Sequence, residues 1–290
     1  MTKICYFSGT GNTFWSAGKI AEQIGPAQCV LFNIGAADFS REITITADAV
    51  VLLFPAYAYG LPMIVRNFVR KAEFKTPGGE NPDGVTPYIA AFVTYGTSPG
   101  GALAEISRIF RRKKIKSAWY GRIPAVENYT AIFGPQKQKT IERRLQMQRA
   151  ATEDAVRRIN GQETNRVFAF RPFSAFVSSL FSIALKIFYK WYRVTGNCDG
   201  CGICGKICPV SAITMNNGRP VFSKKCEHCQ GCIHWCPKQA IVFARVKSGT
   251  PRYHHPEVTS GMMLTSEMLG SEMPGSETLA GEISPGQKPE

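Results

Sequence analysis

Cysteine is scarce over the first two-thirds of the chain: of ten in 290 residues, only Cys5 and Cys29 precede Cys198. That distribution excludes a chain-wide disulfide framework and fits a reducing compartment. A secretory signal core is missing, because MTKICYFSGTGNT reaches glycine and polar residues after a short apolar stretch, so a cytoplasmic location is expected. The uncharged stretch from Pro172 to Leu185, PFSAFVSSLFSIAL, falls short of the ~20 apolar residues that a bilayer crossing needs. Acidic residues are the minority sign, 21 against 35 Lys and Arg, for a net charge of +14. Six glutamates and one lysine lie beyond Pro256, which leaves residues 1–255 at +19. Such a surface attracts acidic proteins, anionic membranes or nucleic acid. No nucleic-acid motif supports the last, and none is expected as a partner.

What is present in the first 125 residues is an alternation of β-rich runs and amphipathic stretches. KICYF, CVLFNI, AVVLLF and PYIAAFVTY read as strands, with a further one near SAWYGRI; helices are expected from about Thr13, Pro62 and Gly101. Near-continuous apolar strands separated by helices are what a parallel sheet covered on both faces requires, so the fold class is doubly wound α/β. Residues 136–160 are highly charged, with Ile141, Leu145, Ala151, Ala155 and Ile159 near helical spacing, and close a first domain at 1–160. A hydrophobic connecting helix is expected at 161–188. Its uncharged core, 172–185, docks between domains or lies on a membrane surface. From 247 to 290 a polar, glycine-containing repeat (SEMLG, SEMPG, SETLAG) predicts disorder.

Between these lies a cysteine-dense module, 189–246. Cys198, Cys201, Cys204 and Cys208-Pro209 spell C-x2-C-x2-C-x3-C-P, and Cys226, Cys229, Cys232 and Cys236-Pro237 repeat it 28 residues later. Three close cysteines wrap one face of an iron–sulfur cubane, while the fourth, beside proline, serves the other cluster. The expected ligand sets therefore cross over: Cys198, Cys201, Cys204 and Cys236 for one 4Fe-4S cluster, Cys208, Cys226, Cys229 and Cys232 for the other. Structural zinc uses ligands in separated pairs and has no need of three cysteines at successive i+3 steps. Gly200, Gly202 and Gly231 allow tight bends around sulfur, and Asn217-Gly218 predicts a hairpin turn between Ile213 and Val221. His228 and His234 are expected at the surface or beside the clusters, and Cys5 and Cys29 as buried apolar residues.

After the first strand comes Ser8-Gly9-Thr10-Gly11-Asn12-Thr13, opening a helix. Hydroxyls and free amides at a helix N-terminus suit a phosphate. The spacing is neither G-x-G-x-x-G nor a Walker loop, which favours a monoester phosphate. The loop resembles the phosphate loop of flavodoxins, T/S-x-T-G-x-T, over roughly residues 2–130. That resemblance implies a five-stranded sheet of order 2-1-3-4-5 and an FMN site. It also implies that the loops after the third and fourth strands, PAYAYGLP and TYGTSPGG, flank the flavin ring. Pro55, Ala56, Tyr57, Tyr59, Gly60, Thr94, Tyr95 and Gly96 are the candidates there, the tyrosines against the ring and the Gly96 amides near its polar edge. With the C-terminal α+β module, which resembles bacterial double-cluster ferredoxins, the whole is similar to fused flavodoxin–ferredoxin proteins. The resemblance implies electron transfer among two 4Fe-4S clusters, FMN and outside redox proteins, an acidic ferredoxin or reductase among them. A reductase that passes electrons from FMN to a quinone or flavin is the alternative. Arg111, Arg112, Lys113, Lys114 and Lys116 form a basic run that is either a solvated helix face or a docking surface.

Overall fold

The computed structural model describes residues 1–78, 86–115, 118–167 and 187–264. Strands β1 (Thr2–Tyr6), β2 (Cys29–Asn33), β3 (Thr44–Thr46), β4 (Ala49–Pro55), β5 (Glu73–Lys75), β6 (Tyr88–Tyr95) and β7 (Ala118–Pro124) belong to the first domain. Five of them form one parallel sheet in the order β2-β1-β4-β6-β7. Counting only those five strands, this is 2-1-3-4-5, the flavodoxin-like order. β3 and β5 pair with each other in a separate two-stranded sheet, which the sequence did not signal because each offers one buried residue between exposed ones.

β4 at the centre reads AVVLLFP without a polar residue because both of its faces are covered. Cys5, Phe7, Val50, Leu52 and Phe54 point to one face and meet α2 (Met63–Lys71) and α3 (Ala102–Arg112). Ile4, Tyr6, Val51 and Leu53 point to the other and meet α1 (Asn12–Ile24) and α5 (Gln138–Asn160). In α5 the expected apolar stripe is only half right: Ile141 and Leu145 are partly exposed, whereas Gln148 and Thr152 are buried. They are inside because α1 offers them polar partners. The Gln148 amide donates to Asn12 O (2.8 Å) and Ser16 Oγ (3.0 Å), and Thr152 Oγ1 donates to Ser16 Oγ (3.2 Å).

Beyond α4 (Thr130–Phe133) and α5, the cysteine module is small. β8 (Arg193–Val194) pairs antiparallel with β11 (Ile241–Val242), and β9 (Ile213–Asn216) with β10 (Arg219–Phe222). The expected hairpin is present: Asn217 (φ 47°) and Gly218 (φ 73°) fill a two-residue turn that needs positive φ at both positions. The helical turns α6 (Ile203–Lys206) and α7 (Gly231–His234) each carry a cysteine of one repeat, Cys204 and Cys232, into a common core with Tyr192, Ile213, Ile233, Ile241 and Phe243.

Two expectations about the connecting segments meet the structure differently. The 172–185 segment lies outside the described residues; among the described residues no helix is long and apolar enough to cross a membrane. The stretch from 247 to 264, inside the region expected to be disordered, is packed. It returns from the cysteine module to the first domain, where Val258 and Met263 are buried beside α1. His255 stacks on Trp15 at 4.8 Å between ring centroids, and Glu257 accepts from Trp15 Nε1 (3.0 Å) and Arg149 (2.9 Å). A composition reading averages over the tail and misses one aromatic and apolar patch at its start. Residues 265–290, which hold the repeats, lie outside the described residues.

Candidate functional site

At the C-terminal edge of the sheet, where β1 and β4 lie side by side and their outgoing loops diverge, a cavity of about 300 Å³ opens. Crevices form at this switch point because connections leave in opposite directions. Three expected loops supply its walls: Ser8, Gly9, Thr10, Asn12 and Thr13; Pro55, Ala56, Tyr57 and Tyr59; Thr94, Tyr95 and Gly96. Two expected residues are not on the wall. Gly11 (φ 91°) faces His255 and Val258, and Gly60 is held in a tight turn, exchanging backbone hydrogen bonds with Tyr57 (3.0 and 2.9 Å).

The loop after β1 is constrained residue by residue. Asn12 Nδ2 donates to Val126 O (3.2 Å), Thr13 Oγ1 pairs with Thr94 Oγ1 (2.7 Å), and Thr10 Oγ1 accepts from Asn128. Ser8 Oγ is the exception: it is buried at the cavity wall with no hydrogen-bond partner among the described residues. A buried hydroxyl without a partner costs free energy, and a phosphate oxygen at the start of α1 would satisfy it. The residues present therefore fit a phosphate-bearing ligand.

A fourth wall, 125–133, was missed. Glu127 ties it to the loop after β6, accepting from Thr97 N (3.1 Å), Thr97 Oγ1 (3.0 Å) and Tyr129 N (3.0 Å). Gly96 must be glycine for this approach, since a Cβ there would lie 2.5 Å from the Glu127 carboxylate. The signal available was Glu127-Asn128, two polar residues directly after the last strand, in the position where sheet-edge loops gather. Ile132 and Phe133 follow it and stand exposed at the cavity mouth, as does Tyr59.

The remaining wall comes from the cysteine module: Glu227, His228 and Cys229 line the same cavity. The two regions touch closely enough to demand glycine on both sides. A Cβ on Gly9 would sit 2.8 Å from Cys229 Cβ, and one on Gly231 would sit 2.8 Å from Gly9 O. Trp235 Nε1 donates to that same Gly9 carbonyl (3.0 Å). Glu227 caps α2 from across the interface, its carboxylate accepting from Met63 N (2.9 Å) and Ile64 N (2.7 Å). Burial pushes its pKa up to about 7. His228 and His234 are buried, which corrects the surface alternative. His228 sits among Tyr192, Phe188 and Phe243, and His234 bridges Asn128 O (2.8 Å) and the Tyr253 amide (3.0 Å).

The eight module cysteines fall into two neighbourhoods. Cys198, Cys201, Cys204 and Cys236 line one small cavity with Ile203, Met215 and Pro220. Burial raises the Cys204 thiol to about 11, and the thiols that add to the shift are Cys236, Cys201 and Cys198. In the second neighbourhood burial raises Cys226 to about 12 and Cys229 still higher, with Cys208 acting on both. Buried thiols held protonated are poor nucleophiles, and a neighbouring cation or a bound metal is what brings such groups to thiolate. Backbone amides point at the sulfurs: Ala212 N to Cys208 Sγ (3.3 Å), His228 N to Cys226 Sγ (3.4 Å) and Ala240 N to Cys236 Sγ (3.3 Å). Among the described residues no three His, Cys, Asp or Glu side chains close around a single metal ion. Cys5 is fully buried as expected, and Cys29 is partly exposed.

No family model matches the chain, and no curated protein matches it. Among solved structures it is similar to a flavodoxin from the Archaea (19% identity over 53% of this chain and 99% of that one, TM-score 0.31). Similar values hold for the flavodoxin of Megasphaera elsdenii (18%, 53% and 99%, TM-score 0.31) and that of Streptococcus pneumoniae (18%, 53% and 98%, TM-score 0.30). At such TM-scores these likenesses carry no argument; the strand order and the cavity do.

Proposed function

We propose that the chain is an electron-transfer iron–sulfur flavoprotein that passes electrons between outside redox proteins, two 4Fe-4S clusters and FMN. The observation that carries this reading is the wall shared by Cys229 and the loop Ser8–Thr13, with Gly9 packed directly on Cys229. When bound, the clusters supply one-electron steps and FMN one- or two-electron steps. Cys198, Cys201, Cys204 and Cys236 would hold the outer cluster, and Cys208, Cys226, Cys229 and Cys232 the inner one. Ser8 and the amides opening α1 would hold the flavin phosphate, with Tyr57, Tyr59 and Tyr95 on the cavity walls.

Protein residues then set the path. Cys201 is exposed, so electrons enter or leave on that side, whereas Cys229 backs the cavity with no solvent gap between it and Gly9. Tyr192, Phe188 and Phe243 keep water from His228 behind Cys229. Exposed Lys206, Lys224 and Lys225 suit an acidic partner protein. Anaerobically purified protein tests the reading: about eight iron, eight sulfide and one FMN per chain are expected for two cubanes and a flavin, with visible absorption that dithionite bleaches reversibly. Absence of reversible bleaching overturns it.

One feature favours reductase activity as a second reading. Tyr59, Ile132 and Phe133 form an exposed apolar lip at the cavity mouth, where a planar acceptor such as a quinone could reach the flavin. Turnover of such an acceptor, lost in an Ile132→Ser/Phe133→Ser variant that retains both cofactors, would support it.

A further inference from the structure

Arg252 belongs to the segment that returns from the cysteine module, and its position is unusual for an arginine. One end of the guanidinium is fixed: Nη2 donates to the carbonyls of Gln239 (3.3 Å), Ile241 (3.2 Å) and Lys247 (3.3 Å). The rest is unspent. Nε and Nη1 are buried and have no hydrogen-bond partner among the described residues. Buried cationic donors left unpaired are costly, more so than neutral ones, and a chain that holds them by a three-carbonyl clamp has positioned them toward an acceptor. Ile241, whose carbonyl is part of the clamp, lines the small cavity of Cys198, Cys201, Cys204 and Cys236. Gln239, whose carbonyl is part of the clamp, is itself turned back on Cys236 by a hydrogen bond to its carbonyl (3.1 Å).

We propose that Arg252 is a positioning residue for the iron–sulfur centres: its Nε and Nη1 donate to cluster sulfur between the two ligand sets, and its charge raises both reduction potentials. This rests on the cluster reading above. Each reduction adds one electron, and hence one negative charge, to a cluster; a fixed cation beside it stabilises the reduced form more than the oxidised one. The effect is larger at the Cys198/Cys201/Cys204/Cys236 set, because the clamp carbonyl of Ile241 belongs to the wall of that set's cavity and Gln239 is hydrogen-bonded to Cys236. The arrangement also gives the returning segment a purpose the fold alone does not require, since the fixed end of Arg252 needs only carbonyls while its free donors need sulfur.

The test is a reductive titration of full-length wild type, Arg252→Gln and Arg252→Lys with dithionite, followed by EPR to separate the two clusters, with iron and sulfide counted in each. Arg252→Gln removes the charge, and both midpoints are expected to fall, the outer cluster's more. Arg252→Lys keeps the charge without the forked donors, and a smaller fall is expected. Midpoints equal to wild type in either variant that holds eight iron overturn the proposal. Wild-type protein lacking iron and sulfide instead overturns the cluster reading on which it stands, so the two failures are distinguishable.

Discussion

The first domain and the cysteine module are stabilised by different physics. In the first, β4 alone places six consecutive residues, Ala49 to Phe54, in the core, and helices on both faces complete the burial. In the second, strands are two to four residues long, and the core of Tyr192, Ile233, Ile241 and Phe243 is completed by Cys204 and Cys232. A domain of the first kind folds from apolar area. So small a core as the second falls below what burial alone sustains, and under the proposed reading cluster ligation would contribute directly to its folding. The interface joining them combines close backbone approach, at Gly9 and Gly231, with Ile207 and Trp235 packed into the apolar cluster that holds Phe14 and Trp15.

Breaking one side should therefore leave the other standing. The largest effect is expected from Cys232→Ser: iron falls to about half the wild-type count, two cubanes sharing eight thiolates equally, and the module loses its protection against proteolysis. The first domain keeps its helical circular dichroism. Loss of both regions together would show that the division is wrong. Next comes Gly9→Val, whose side chain collides with Cys229; about 1–3 kcal/mol of stability should be lost, with each region still folded and flavin reduction by the clusters slowed in stopped-flow absorption. Ser8→Ala should weaken FMN binding by about 1.5–3 kcal/mol, roughly ten- to a hundredfold in Kd by flavin fluorescence, without changing iron content. Trp235→Phe removes the bond to Gly9 O and trims a buried indole that stacks on His254, and should cost at least about 1 kcal/mol in chemical denaturation.

The smallest effect is one of pH. Burial holds His255 neutral, with its pKa lowered to about 4 although Glu257 opposes the shift. The unfolded form binds a proton near its usual value of about 6.5, so the folded state binds fewer protons as the pH drops from 6.5 toward 4, and stability of the returning segment declines over that window. Protection factors at 253–258, corrected for the intrinsic slowing of exchange in acid, should fall between pH 7 and 5.5 in wild type and fall less in His255→Phe, which keeps a ring on Trp15 and leaves only His234 to titrate against the Tyr253 amide.

What the sequence disclosed follows the same division. Continuous apolar strands and the cysteine spacing are local signals, and they placed the sheet, the hairpin at Asn217-Gly218 and the four cysteines lining the outer cavity. The missed features depend on pairings between distant segments. Glu127 shows its role only when β7 delivers it beside Gly96, and Glu227 only when the module sits on α2. Gln148 and Thr152 break the helical stripe because Ser16 awaits them. His234 could not be read as buried without Asn128 and Tyr253. The return of 247–264 was hidden by the polar repeats that follow it.

That return also sets an order of assembly during synthesis. The ribosome completes the sheet and its helices before it reaches the cysteines, and Tyr253, His255 and Val258 emerge only after both cysteine repeats. Tyr253 must find Asn12, 241 residues behind it, and the His255 amide must find Thr10 O. The closing stitch of the first domain is thus tied by the last described stretch of chain, and a nascent chain that has not reached it presents the Gly11–Trp15 end of α1 without its cover of His255 and Val258. Chains halted before residue 253 would keep the sheet yet leave Trp15 bare, a simple signature by which unfinished molecules differ from finished ones.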